Sequence, residues 1–132
     1  MSKKYKLKKK TIEVTKIITH HHPLTASDRV TYSYSYKKDR NNTILEVVNV
    51  SYEVEIDDEW ITILRFDSTH GKMHCHMRIS LQNPEEVVVP GGWIARKGTP
   101  KNWLSWAMKD IRKKYLNYRK GFFKRSGIKN LY

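Results

Sequence analysis

A single cysteine, Cys75, stands in a chain of 132 residues. That excludes an internal disulfide and any zinc site built from several thiolates. No stretch approaches the roughly 18 uncharged apolar residues that a membrane helix requires. The start, Met1-Ser2-Lys3-Lys4-Tyr5, leads into further lysines rather than an apolar segment, so a secretory signal is not expected. A cytoplasmic protein without membrane contact is the expectation. No internal repeat is visible and no Pro- or Ser-rich linker divides the chain. One domain is expected over residues 11–132, after a basic flexible tail at 1–10. With 39% hydrophobic and 11% aromatic residues, the chain is too apolar for a wholly disordered one.

Acids are scarce in particular places. Residues 1–10 carry six lysines and no acid, while residues 99–132 carry ten basic residues and one acid, Asp110. The intervening segment is nearly neutral, with a net charge of −2 within an overall +13. Two basic ends around a neutral middle point to a polyanion, nucleic acid first, with an acidic membrane surface or an acidic protein partner as the rival and a merely solubilising surface as the plain alternative.

Hydrophobic periodicity orders the middle. Residues 11–20 are rich in β-branched types and predict a strand that His20-His21-His22-Pro23 ends. Val30, Tyr32, Tyr34 and Tyr36 alternate on one face of a second strand. Further strands are predicted over 43–56, 60–67 and 72–81, with Val87-Val88-Val89 a short one inside a loop. The period then changes. Thr99-Pro100 is a helix start, and Leu104, Ala107, Met108, Ile111, Tyr115, Tyr118 and Phe122 recur on one helical face. Gly121 or Ser126-Gly127 would end that helix. The predicted fold is α+β: an antiparallel sheet of about five strands in meander order, packed by one long C-terminal helix.

The densest polar cluster runs from Arg65 to Arg78. His74, His76 and Arg78 alternate on one face, opposite Met73, Cys75 and Met77. A hairpin loop at 68–71 would pair Asp67 with Lys72 and Arg65 with His74. Arg65, Asp67, His74, His76 and Arg78 would then share one side, with His70 at the rim. Three readings compete. Histidines that titrate near neutrality, beside arginines able to hold a phosphate, suit metal-free RNA cleavage. A His-x-His pair with His70 or Asp67 could chelate a metal, although Glu85 and Glu86 lie too far along for a cupin pattern. A merely solvated polar face is the third.

Other features read more plainly. Cys75 is a small core residue rather than a nucleophile. Gly91-Gly92 lacks phosphate-loop spacing. Trp93, Trp103 and Trp106 are read as core or helix-packing residues. The tyrosines at 32, 34 and 36 are read as the face beneath the helix rather than a stacking platform for single strands. The triple histidine is read as a loop, with a place on the acid–base face as the other option.

The segment Arg65-Phe66-Asp67-Ser68-Thr69-His70-Gly71-Lys72-Met73-His74-Cys75-His76 resembles small prokaryotic proteins that carry an arginine, an aromatic residue, an aspartate, then His-Gly and a spaced histidine. Among these are the TumE-like toxins of toxin–antitoxin pairs and related uncharacterised archaeal families. The resemblance covers about residues 58–80. It implies an RNA-cleaving activity. The shared-face histidines and the charge asymmetry then suggest the roles: His74 and His76 form the acid–base pair, Arg65 and Arg78 hold phosphate, Asp67 orients a histidine, and His70 carries a third proton. Lys109, Arg112, Lys113, Arg119 and Lys120, with the Lys3–Lys10 tail, would hold the nucleic-acid backbone. No cofactor is expected, and whether a metal binds is left open. The alternative is a basic nucleic-acid-binding protein without catalysis; a third class is an interaction module whose basic helix docks an acidic partner such as an antitoxin.

Overall fold

The computed structural model describes residues 15–68, 73–89 and 99–129. Among the described residues, six strands occupy Thr15–Pro23 (β1), Asp28–Lys37 (β2), Ile44–Ile56 (β3), Glu59–Asp67 (β4), His74–Arg78 (β5) and Glu86–Val88 (β6); one helix, Pro100–Ser126 (α1), follows. Every strand pairs antiparallel with its successor in a single sheet ordered β1 to β6. This is the expected α+β meander, and the sixth strand is the short one inside the loop. The basic segment 1–10 lies outside the described residues. Among the described residues no helix is long and apolar enough to cross a membrane.

Local chemistry fixes the hairpins. Ile56 pairs with Glu59 across a two-residue turn in which Asp57 and Asp58 both have positive φ, 51° and 63°. Two left-handed residues match the twist of the flanking strands, and aspartate tolerates that region better than most residues. The β1–β2 turn is closed by the Asp28 carbonyl, which accepts from the Leu24 and Thr25 amides. His20, His21 and His22 are not a loop: they lie inside β1, paired with Tyr32, Thr31 and Val30. Pro23 is tolerated there because β1 is an edge strand.

The helix is capped at both ends. The Thr99 hydroxyl accepts from the Asn102 amide at 3.3 Å, and Pro100 follows in the first turn. Gly127, at φ 68°, closes the other end, with its amide on the Lys124 carbonyl and the Ile128 amide on that of Phe123. The helix runs unbroken through Gly121.

Alternation gives the sheet a dry side. Val30, Val50, Tyr52, Val54, Leu64, Phe66 and Cys75 are buried with Leu104, Ala107, Ile111 and Phe122 of α1. A fully buried side chain of this size contributes about 1.5–3 kcal/mol. The Tyr52 ring meets Tyr115 edge-on at 5.9 Å, and Phe66 meets Trp106 at 5.5 Å. α1 therefore sits over β3 and β4. Its buried face also carries an ion pair. Arg119 Nη1 donates to Asp28 Oδ2 at 2.9 Å, and Asp28 accepts from the Tyr52 hydroxyl on its other oxygen.

Candidate functional site

The far side of the sheet is polar and carries the histidine cluster. β5 pairs with β4 so that Asp67 faces His74 and Arg65 faces His76. The expected pairing was two residues away, with Arg65 opposite His74, because the connection between β4 and β5 is longer than four residues. A shift of two preserves parity, so the side chains still share a face. His70 falls in that connection and lies outside the described residues.

Three of the expected residues meet. Asp67, nearly buried, pairs with the Arg65 guanidinium and lies with Oδ2 3.5 Å from His76 Nε2. His74 is the neighbour of His76 along the strand, ring centres 6.4 Å apart. Both histidines are half-buried. The sequence reading missed the fourth member, Glu86 of β6. It accepts from Arg65 Nε at 2.9 Å and from Arg65 Nη2 at 2.9 Å. Too far along the chain for a cupin pattern, Glu86 is nonetheless carried back to the cluster by the short β6 strand. The fork of hydrogen bonds from Arg65 holds the Glu86 carboxyl below the usual carboxylate range.

This pairing changes the chemistry available. Arg65 is clamped between two carboxylates, so its charge is already matched and a phosphate would have to displace Glu86. Arg78 donates to the carbonyls of Ser80 and Leu81, which ties it to the following turn rather than to the cluster. What the centre retains is a histidine, His76, oriented by a carboxylate, with a second histidine beside it. Among the described residues no three or more His, Cys, Asp or Glu side chains are arranged to hold a metal. Cys75 points to the dry side, and burial pushes its thiol up to about 12. His21 lies on the polar side too, but with its Nδ1 on the Thr31 hydroxyl, several strands from His76.

The basic residues of α1 divide. Lys109, Arg112, Lys113 and Lys120 are exposed. Arg119 is not a surface cation: it is buried against Asp28, with its guanidinium 5.1 Å from the Phe123 ring centre. Its spacing of eight from Ile111 puts it on the packed face. Asp110, the one acid of the helix, is also turned inward. It accepts from the Tyr118 hydroxyl at 2.6 Å and pairs with Lys114 at 3.1 Å. The outward face is thus left basic. It also lies across the sheet from the histidines. A sheet, a helix and their side chains separate the two surfaces by on the order of 20 Å.

The family model that matches the chain spans residues 8–128. The chain belongs to DUF7718, a domain family of unknown function. No curated protein and no solved structure matches. The match to DUF7718 covers the whole of the sheet and of the helix, so the histidine cluster and the basic helix both belong to the domain. Nothing in it connects the chain with TumE-like toxins.

Proposed function

We propose that this domain binds nucleic acid through the solvent face of α1, with single-stranded RNA as the first ligand to test. The observation that carries the reading is the sorting of charge on one helix: Lys109, Arg112, Lys113 and Lys120 face water, while Asp110 faces inward and is neutralised. A row of cations without interspersed acids attracts phosphates and releases their counterions on binding. RNA is placed before DNA because of the toxin-like segment at Arg65–His76. An acidic protein such as an antitoxin would use the same surface, and binding that survives nuclease treatment would point to it.

Fluorescence anisotropy with a labelled single-stranded RNA tests the reading. Arg112→Glu with Lys113→Glu should weaken binding about tenfold or more at moderate salt and flatten its salt dependence. Unchanged affinity and slope would refute it.

A second reading is favoured by one contact, that of Asp67 with His76. There the histidine face is a ribonuclease centre, with His74 and His76 exchanging protons and Asp67 orienting His76. RNA cleavage by wild type that a chelator leaves intact and His74→Ala/His76→Ala abolishes would support it. Equal cleavage by both proteins, or none by wild type, would remove it.

A further inference from the structure

The helix covers only part of the dry side of the sheet. It packs over β3 and β4. The same face continues outward onto β2 and β1, where the pairs are Val30–His22, Tyr32–His20, Tyr34–Ile18 and Tyr36–Lys16. The tyrosines expected beneath the helix therefore lie beside it. Tyr32 and Tyr34 lean on the edge of the core, and all three tyrosines are half-exposed.

Their rings form a ladder. Tyr32 and Tyr34 are stacked, 6.3 Å apart and within 11° of parallel. Tyr36 continues the row 6.1 Å from Tyr34, and His20 lies 5.0 Å from Tyr32. At its Tyr36 end the ladder opens into a groove of about 510 Å³, lined among others by Ile18, Tyr34, Tyr36, Ile44, Thr99 and Lys101. That volume suits a planar ring system.

The rim is cationic. Lys16 shares the face with Tyr36, and Lys101 reaches the groove from the first turn of α1. Arg112 lies three turns further along the same flank of the helix as Lys101. All three are exposed. Asp39, in the adjoining β2–β3 loop, is turned into that loop, accepting from the Asn41 and Thr43 amides.

We propose that the Tyr32–Tyr34–Tyr36 ladder and its groove form a base-stacking site for single-stranded nucleic acid, with Lys16, Lys101 and Arg112 holding the backbone beside it. The proposal rests on the nucleic-acid reading of α1 and deepens it by naming the surface on which unpaired bases stack. A base offers a flat face whatever its identity, so a row of half-buried rings beside cations accepts unpaired strands and rejects duplexes, whose bases are already stacked. The β1–β2 half of the sheet and the flank of α1 then make one continuous surface.

The test compares labelled oligouridylate, a duplex RNA and heparin, a polyanion without bases. Tyr34→Leu/Tyr36→Leu should lower oligouridylate affinity about tenfold or more and leave heparin binding unchanged. Tyr34→Phe/Tyr36→Phe keeps the rings and should stay within about twofold of wild type. In wild type, an oligonucleotide carrying 5-iodouridine should photocrosslink within residues 32–36. That arm decides the matter if the leucine variant fails to fold. Oligouridylate binding that the leucine variant retains, duplex bound as tightly as single strand, or crosslinks confined to α1 would overturn the stacking site while leaving nucleic-acid binding in place. Binding of heparin alone would overturn the stacking site, and binding of none of the three would overturn both.

Discussion

Two arginine–carboxylate centres sit on opposite sides of this sheet. Arg119 and Asp28 meet beneath the helix with side chains 7% and 0% exposed. Arg65 meets Asp67 and Glu86 on the uncovered side, with Arg65 31% and Glu86 33% exposed. The bonding chemistry is the same and the surroundings differ. The first pair ties the C-terminal third of α1 to the start of β2, and Asp28 is further held by the hydroxyls of Tyr52 and Thr25. Water cannot replace a lost partner there, so the pair is an element of the fold. In the second centre water reaches both Arg65 and Glu86, and the shared carboxylate Asp67 also touches a histidine. A cation in the sequence therefore says little until its surroundings are known: Arg119 serves packing, Arg65 organises a polar cluster, and Arg112 faces water.

The largest expected effect falls on the buried centre. Arg119→Ala strands the Asp28 carboxylate and should cost about 3–5 kcal/mol in denaturant unfolding. A loss under about 1 kcal/mol would erase the distinction between the two centres. Asp67→Asn comes next. It removes the charge that Arg65 and His76 share in a partly covered site, and should cost about 1–3 kcal/mol. Stability unchanged from wild type would show that the shared carboxylate holds neither partner in place.

Glu86→Gln should have the smallest effect, about 0.5 kcal/mol near neutral pH, since the pair is one-third exposed and screened. Its sign with pH is fixed. The folded carboxyl titrates below its ordinary value of 4.5, so its stabilisation is complete above that value and fades as pH falls through the folded pKa. The wild type should lose its advantage over the variant in acid. A difference that grows on acidification would contradict the pairing.

These contrasts also explain what the sequence disclosed. Alternation in Val50–Val54 and Met73–Met77 assigned faces correctly, and even a two-residue error in the β4–β5 pairing left Arg65, Asp67 and His76 together. Thr99-Pro100 and Gly127 marked the helix ends because capping is local chemistry. Glu86 was missed because a three-residue strand has too little periodicity to be placed, and only pairing with β5 brings it to Arg65. Arg119 reads with its basic neighbours as lying off the apolar face, whereas its spacing of eight from Ile111 sets it apart from them and on the packed side. The placement of α1 over β3 and β4 is a tertiary outcome, and it alone leaves Tyr32, Tyr34 and Tyr36 beside the helix.

The most direct test is amide NMR mapping of the surface on which single-stranded RNA lands. Titration with oligouridylate should shift resonances of residues 32–36 and of the exposed turns of α1 around Lys101, Arg112 and Lys113, leaving His74, His76 and Glu86 unmoved. Shifts concentrated at His74, His76 and Glu86, with α1 silent, would contradict the account and move the binding surface to the opposite side of the sheet.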